Sequence, residues 1–468
     1  MLKAFFRSLA GRKEDPAEAA AWMSRAADLR KAGEPRQAIA AYRKASELGA
    51  AAADVHLQLG ALHASLAEHD AAIDELQRAI AAAPENADAL CMLGTVMSDL
   101  RRPGEAAALF QRALAIRPEF SEAHFNLGLA RFEQADFAAA RASFARCVVL
   151  NRGEPWSAER RADLATDPMP RFEPRDMGVN PVKLRHDCEQ LEYLLGLGRL
   201  PESYRSVLDD YRQLLGEVSS LDADSLVPFD AARHALVART YKRPIYIAEV
   251  PLPSGPLINP ALDFAGIEAR YSEALPQVIA VDELLTPPAF EALRRFCRES
   301  TFWNNIKPGY LGAYFYDGFC SELLLRLAWE LRERFPAVFH GLPLQMMWGY
   351  KCDATLPGLG VHADAAAVNV NFWITDDSAN LDPQCGGLLV YPQDAPEDWG
   401  FGKFNYDSGA IQRYLGSTGD EPLRVPYRAN RAVIFDSDLF HATDRPRFRE
   451  GYLNRRINIT LLYGLRSM

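Results

Sequence analysis

In the first third of the chain the apolar residues fall in a helical rhythm with a longer beat laid over it. Gly60, Gly94 and Gly128 stand 34 residues apart, as do Leu59, Leu93 and Leu127, and Ala38, Ala72, Ala106 and Ala140. Pro84 and Pro118 keep the same step, and Tyr42, Leu76, Phe110 and Phe144 mark one bulky apolar position per period. A fixed period of this kind signals one supersecondary unit used repeatedly, each copy too small to bury its apolar face alone. The pattern predicts four helical hairpins, over 19–52, 53–86, 87–120 and 121–154, with a small residue where the two helices of each cross closely. The outer units are irregular: Arg25 and Ala26 replace the Leu-Gly pair in the first, and Cys147 and Arg152 fill two positions of the fourth. Irregular end units are what capping a stack requires.

These positions resemble the tetratricopeptide repeat: a Leu-Gly pair, two alanines, an aromatic and a terminal proline at fixed places in each unit. The resemblance implies an all-α solenoid with a concave face that holds a protein or peptide partner. Asn126 and Arg131 are candidate groove residues.

The pattern then changes twice. Residues 155–180 are polar and proline-bearing and are expected to be a linker. From Pro181 the helical spacing returns through Leu184, Cys188, Leu191 and Leu194, and again through Tyr204, Leu208, Tyr211 and Leu215. This predicts a helical hairpin connector over 181–225, with His186 and Asp187 as structural residues. Beyond it, over 226–468, short β-rich runs separated by turn residues take over: 244–250, 277–281, 345–350, 367–375, 387–392, 432–436 and 457–464. Two helical stretches, Pro288–Arg298 and Ser321–Arg334, lie between them. Short strands with flanking helices predict a barrel or sandwich of the double-stranded β-helix (jelly-roll) type.

Composition narrows the function classes. The 468 residues suffice for several domains, and 49% hydrophobic with 24% charged residues suits a globular chain. A net charge of -10 argues against a nucleic-acid partner. The cysteines number seven and form no CxxC pair, which points to a reducing, cytoplasmic setting. No apolar run is long enough to predict a transmembrane helix. The basic segment 1–18 is expected to form a capping or frayed helix rather than a secretory signal, with a weak membrane-surface anchor as the alternative.

The candidate chemistry lies in the β-rich part. His362 and Asp364 stand one residue apart between a glycine-bearing turn at 357–360 and a predicted strand. His441 follows 79 residues later, just past another strand, and Arg456 comes 15 residues after that. Two imidazoles and one carboxylate can bind one face of Fe(II) and leave positions open for other ligands. Arg455 and Arg456 compete for the role of a fixed cation. Strand parity favours Arg456, which shares a face with Asn458 and Thr460, while Ile457, Ile459 and Leu461 share the other.

This ordered set resembles the Fe(II)- and 2-oxoglutarate-dependent oxygenases over about 277–464. The resemblance implies iron held by His362, Asp364 and His441, and a 2-oxoglutarate cosubstrate whose remote carboxylate meets Arg456. Asn458 stands where the family often has serine, so the cosubstrate site departs from the family pattern there. Tyr350 and Asn371 are further cofactor-binding candidates, and Gly386-Gly387 resembles the family's strand start between the two histidines. Such an enzyme turns 2-oxoglutarate and O2 into succinate and CO2 while oxidising a C–H bond, and needs no catalytic side chain beyond the metal centre. The expected substrate is a protein, peptide or carrier-bound molecule. The alternative is a repeat scaffold whose jelly roll binds metal without turnover. A P-loop, HExxH or nucleophile elbow is not found.

Overall fold

A computed structural model of the chain describes residues 15–157, 178–222, 225–307, 309–352 and 358–466. Residues 1–14 of the expected N-terminal helix, most of the linker at 155–180 and Pro357 of the turn lie outside these residues. By compactness the chain divides into two units, 1–143 and 144–468.

The first unit is built from paired antiparallel helices: α1 (Pro16–Lys31) with α2 (Pro35–Glu47), α3 (Ala52–Ser65) with α4 (His69–Ala82), and α5 (Ala87–Asp99) with α6 (Pro103–Ile116). Next come α7 (Ser121–Phe132) and α8 (Phe137–Arg152), and the division between units falls inside α8. Proline opens α1, α2 and α6, where its missing N–H is no loss. The reason for the repeated glycine is steric. A Cβ on Gly60 would lie 2.6 Å from Leu76 Cγ, and one on Gly94 would lie 2.6 Å from Phe110 Cε1. Each small residue on a first helix therefore receives the bulky residue of its own second helix, and Leu76 and Phe110 are fully buried as a result.

The second unit begins with the end of α8. Phe144 packs on Phe315 with ring centroids 4.1 Å apart, and Arg152 Nε donates to Asp317 Oδ1 at 2.9 Å. The predicted hairpin is present as α9 (Pro181–Gly196) and α10 (Arg205–Val218), followed by α11 (Ala235–Thr240). Its apolar face forms one cluster with Trp156 and Val179. Polar clips fasten it further on: Gln190 Nε2 donates to the Ser300 carbonyl at 2.8 Å, and Arg199 pairs with Glu299 at 2.9 Å. The remaining helices are α12 (Phe264–Glu273), α13 (Pro287–Glu299), α14 (Glu322–Arg334), α15 (Pro336–Phe339), α16 (Phe401–Tyr406) and α17 (Ser408–Thr418).

The strands are β1 (Val278–Val281), β2 (Asn305–Lys307), β3 (Tyr310–Tyr314), β4 (Leu344–Cys352), β5 (Val368–Trp373), β6 (Leu388–Asp394), β7 (Leu423–Val425), β8 (Ala432–Asp436), β9 (Leu439–Thr443) and β10 (Arg456–Tyr463). They form a seven-stranded sheet in the order β1-β8-β5-β10-β4-β3-β2 and a three-stranded sheet in the order β7-β6-β9, with antiparallel neighbours throughout. Val278, Trp373, Val433 and Phe435 of the large sheet pack with Leu388, Val390, Val425 and Leu439 of the small one, so the two sheets share a core. The long central strand β10 pairs β4 on one side and β5 on the other, and all eight of its residues are buried.

Six of the seven predicted strand regions carry strands, but 244–250 does not. Its backbone is satisfied largely by side chains: Thr301 Oγ1 accepts from Ile245 and Tyr246, and Ser300 Oγ accepts from Ala248. A β-rich composition does not make a strand without a neighbouring ladder. Strands β2, β3, β7 and β9 and helices α11, α12, α15, α16 and α17 have no counterpart in the sequence pattern; several are too short to show a clear period.

The close fit at the repeat glycines gives a sign-reversing test. Gly94→Ala is expected to destabilise the first unit in the natural sequence through overpacking against Phe110. Phe110→Ala alone should cost about 3–5 kcal/mol. With Phe110 removed, Gly94→Ala should instead stabilise, by up to about 1 kcal/mol of helix propensity. Urea unfolding of the single and double variants measures both signs.

Candidate metal centre

The site is built where the small sheet meets the turn that leads into β5. His441 sits in the middle of β9, while His362 and Asp364 lie on the turn before β5. His362 N–H donates to the His441 carbonyl at 3.0 Å, and His441 N–H returns a bond to the His362 carbonyl at 2.8 Å. The same turn is fixed by Thr443, whose N–H donates to the Leu359 carbonyl at 3.0 Å and whose Oγ1 accepts from Leu359 N–H at 3.0 Å. The insertion carrying α16 adds two more ties: Ala363 N–H reaches the Phe404 carbonyl at 3.1 Å, and Asn405 Nδ2 donates to the Ala363 carbonyl at 2.8 Å.

The side chains then converge. One ligand atom from each of His362, Asp364 and His441 lies within 4.8 Å of the others, and all three residues are buried. His362 Nε2 is 3.8 Å from Asp364 Oδ1, and His441 Nε2 is 3.5 Å from Asp364 Oδ2. His362 Nδ1 donates to the Gly360 carbonyl at 2.9 Å and His441 Nδ1 to the Leu439 carbonyl at 3.0 Å. A carbonyl only accepts, so both protons sit on Nδ1 and both Nε2 lone pairs face the centre.

For His362, electrostatics favours the same protonation. Burial, aided by neighbouring His441, holds the His362 imidazole down at about 4, so it is neutral at pH 7. Burial pushes the Asp364 carboxyl up, but it is opposed, by the Asn369 hydrogen bond among others, and the group is held below the usual carboxylate range. Two neutral imidazoles and one carboxylate, with no counter-cation among them, suit a borderline divalent cation such as Fe(II). Among the described residues this is the one cluster of three or more such ligands. His186 and Asp187 are structural, as expected: His186 is fully buried and Asp187 pairs with Lys183 at 2.7 Å.

A cleft with about 330 Å³ of empty volume, open mouth included, adjoins the cluster. Its walls include His362, Asp364, His441, Tyr350, Asn371, Arg456 and Asn458, so all seven candidate site residues meet in one place. Arg456 is 2% exposed. Its Nε donates to the Gly386 carbonyl at 2.7 Å and its Nη2 to the Gly387 carbonyl at 3.2 Å, and its guanidinium lies over Trp373 at 5.7 Å. No described carboxylate pairs with it, and burial lowers its pKa without displacing an arginine from its charged form. The Gly-Gly pair thus forms a carbonyl cradle for Arg456. Gly387 is required there, since a Cβ would fall 2.0 Å from the Val425 carbonyl oxygen of β7. Arg455 points the other way and pairs with Glu189 of α9 at 2.9 Å.

Asn458 takes an unexpected part. Its Nδ2 donates to Asn371 Oδ1 at 2.6 Å and to Thr460 Oγ1 at 3.0 Å, and its Oδ1 is buried without a partner among the described atoms. It therefore presents an acceptor to the cleft. Tyr350 is half-buried, 4.4 Å from Tyr310 and 5.9 Å from Trp348 between ring centroids, and burial raises its phenol well above the ordinary value. Two further residues belong with the site: Trp348, which lines the cleft with an Nε1–H that has no described partner, and Asn369, whose Nδ2 donates to Asp364 Oδ2 at 2.7 Å. Both were accessible to parity: Trp348 shares a face with Tyr350, and Asn369 shares one with Asn371 and Trp373. In the repeats, Asn126 bonds Thr95 at 3.4 Å and Arg131 pairs with Asp136 at 3.3 Å.

Comparison with known proteins bears on the first unit and its junction. Residues 24–87 and 91–155 match the tetratricopeptide repeat family model. Of solved structures, the crystal structure of MamA protein is 27% identical over 32% of this chain and 78% of its own, with a TM-score of 0.27. YrrB, described as a TPR protein with an unusual peptide-binding site, is 29% identical over 32% of this chain and 75% of its own, with a TM-score of 0.27. The first TPR of Spaghetti (RPAP3), bound to an HSP90 peptide, is 20% identical over 27% of this chain and 99% of its own, with a TM-score of 0.26. No curated protein matches. The N-terminal part is therefore a tetratricopeptide-repeat solenoid, followed by a β-rich region of antiparallel sheets. No helix among the described residues is long and apolar enough to cross a membrane.

The metal assignment predicts one tight divalent site per chain. Under anaerobic titration, Fe(II) or Co(II) should bind at one equivalent, and His441→Ala should abolish tight binding while the circular dichroism spectrum is retained. Undiminished binding by His441→Ala would remove the assignment.

Proposed function

We propose that the second unit is an Fe(II)- and 2-oxoglutarate-dependent oxygenase with a jelly-roll core, and that the repeats bring it a protein, peptide or carrier-bound substrate. The observation that carries this reading is the convergence of His362, Asp364 and His441 at one part of a cleft whose wall also holds the buried cation Arg456. The donor set fits the metal: two imidazoles in the Nδ1–H tautomer and an ionised carboxylate, on neighbouring backbone segments. The cleft also fits an anionic cosubstrate. Arg456 has donors beyond those given to Gly386 and Gly387, and Trp348 Nε1–H lies buried without a described partner.

When bound, iron would supply the dioxygen chemistry that couples decarboxylation of 2-oxoglutarate to oxidation of a C–H bond. The chain's own residues have simpler tasks. His362, Asp364 and His441 hold the metal on one side. Arg456 binds the remote carboxylate of 2-oxoglutarate through a charge-assisted contact, held in place by the Gly386 and Gly387 carbonyls. Trp348 and Tyr350, with Tyr310, form an aromatic wall that keeps the cleft poor in water. No side chain is needed as a general acid or base. The repeats supply binding energy away from the reacting centre, which supports orientation as well as affinity.

Succinate release from 2-oxoglutarate, dependent on Fe(II) and O2, tests the activity; its absence in metal-loaded protein, with and without candidate partners, would favour a non-catalytic scaffold. The cosubstrate position has its own test. Arg456→Ala should weaken 2-oxoglutarate binding by roughly 30- to 5,000-fold, equivalent to about 2–5 kcal/mol, and leave Fe(II) binding nearly intact. Arg455→Ala should leave the cosubstrate constant unchanged, because its guanidinium faces Glu189. The reverse ranking, read by calorimetry, would move the site to the other face of the strand.

A further inference from the structure

One buried side chain touches the proposed metal ligands without belonging to them. Asn369 on β5 is fully buried, and its Nδ2 donates to Asp364 Oδ2 at 2.7 Å. Its own Oδ1 accepts from Asn371 Nδ2 at 2.8 Å. Asn371 Oδ1 in turn accepts from Asn458 Nδ2 at 2.6 Å and from Thr460 Oγ1 at 2.7 Å. These bonds form one chain, Asn458 and Thr460 to Asn371 to Asn369 to Asp364, in which every donor points toward the carboxylate.

The direction is not arbitrary. An ionised carboxylate only accepts, so Asn369 must present its amino group and turn its oxygen to Asn371. Asn371 must then do the same, which leaves its oxygen for Asn458 and Thr460. Flipping either Asn369 or Asn371 would set two oxygens against each other. The charge at Asp364 therefore orients side chains on two strands, β5 and β10, and they in turn fix the plane of the carboxylate. Strand register supports the arrangement: Asn371 lies directly opposite Thr460, and Asn369, Asn371, Asn458 and Thr460 all sit on inward-facing positions. The far end of the chain is two residues from Arg456 on the same strand.

We infer that Asn369 is a positioning residue for Asp364, and that the Asn371–Asn458–Thr460 network behind it links the metal's carboxylate ligand to the strand that bears Arg456. This rests on the metal reading of His362, Asp364 and His441 and adds residues that the ligand motif does not contain. Hydrogen-bond partners of metal ligands commonly contribute 10- to 100-fold to metal affinity, because they remove the rotational freedom of the ligand. A carboxylate released from Asn369 can turn about its own axis, and the metal must then order it on binding.

The test uses the full chain and Co(II) as the probe, read by affinity and by its visible absorption bands, which report ligand geometry. Asn369→Ala should bind Co(II) about 10- to 100-fold more weakly and with altered bands. Asn371→Leu should lose less. Thr460→Val, which removes only a hydroxyl at the far end, should lose about two- to fivefold. A merely structural role would lower the thermal midpoint of the metal-free variants and leave the bands of the loaded ones unchanged. If the unmodified chain takes up Co(II) and Asn369→Ala binds it with the same affinity and bands, the relay is overturned and the metal centre stands. If the unmodified chain takes up no Co(II), the metal reading falls and the relay with it. Should Asn369→Ala fail to fold, Thr460→Val decides: unchanged affinity and bands overturn the relay.

Discussion

Two backbone hydrogen bonds between His362 and His441 join the two segments that carry the proposed metal ligands, and the rest of the site is arranged around that junction. They join a turn that has no other strand character to the middle of β9, and so bring the end of one segment against the centre of another. The side chains add a second tie of the same kind. Each imidazole donates from Nδ1 to the carbonyl two residues before its own. The rings end 4.3 Å apart between centroids, with their free nitrogens converging. Ligand direction is thus fixed by the main chain and not by apolar packing, which would tolerate rotation about the last torsion.

The inner and outer faces of β10 divide the remaining work. Inward-facing Arg456, Asn458 and Thr460 line the cleft, while outward-facing Tyr463 packs on Phe339 and donates its hydroxyl to the Ala328 carbonyl of α14. On the outer side of neighbouring β4, buried Lys351 lies over Trp303 and Tyr452, and burial holds its ammonium well below the usual lysine range. Arg455, just before β10, reaches Glu189 of the hairpin. The strand that carries the polar site is therefore also the one to which the helices on its other side are fastened. This polar interior is held together chiefly by hydrogen bonds among its own members.

Much of this was legible in the chain. The repeat period located α1 to α8, because a 34-residue step repeats the same close crossing of small and bulky residues. Alternation along 456–463 separated Arg456 from Arg455, because a strand sends successive side chains to opposite faces. What escaped were features set by partners remote in sequence. The Gly386-Gly387 pair reads as a strand start, and its second use, as two carbonyls aimed at Arg456, depends on a residue 70 positions away. The run at 244–250 has strand composition, yet the hydroxyls of Ser300 and Thr301 take its N–H groups. Which group Asn458 offers to the cleft depends on Asn371 and Thr460, which take its amino group.

Helix α8 is read as repeat in its sequence but is split by compactness at 143/144. Its last two turns supply Phe144, Asn151 and Arg152 to the second unit, where they meet Phe315, the Tyr316 carbonyl and Asp317. A repeat duplicated after this helix would have to carry these three side chains along to keep their partners, so the last helix of the array also belongs, as packed structure, to the unit that follows it.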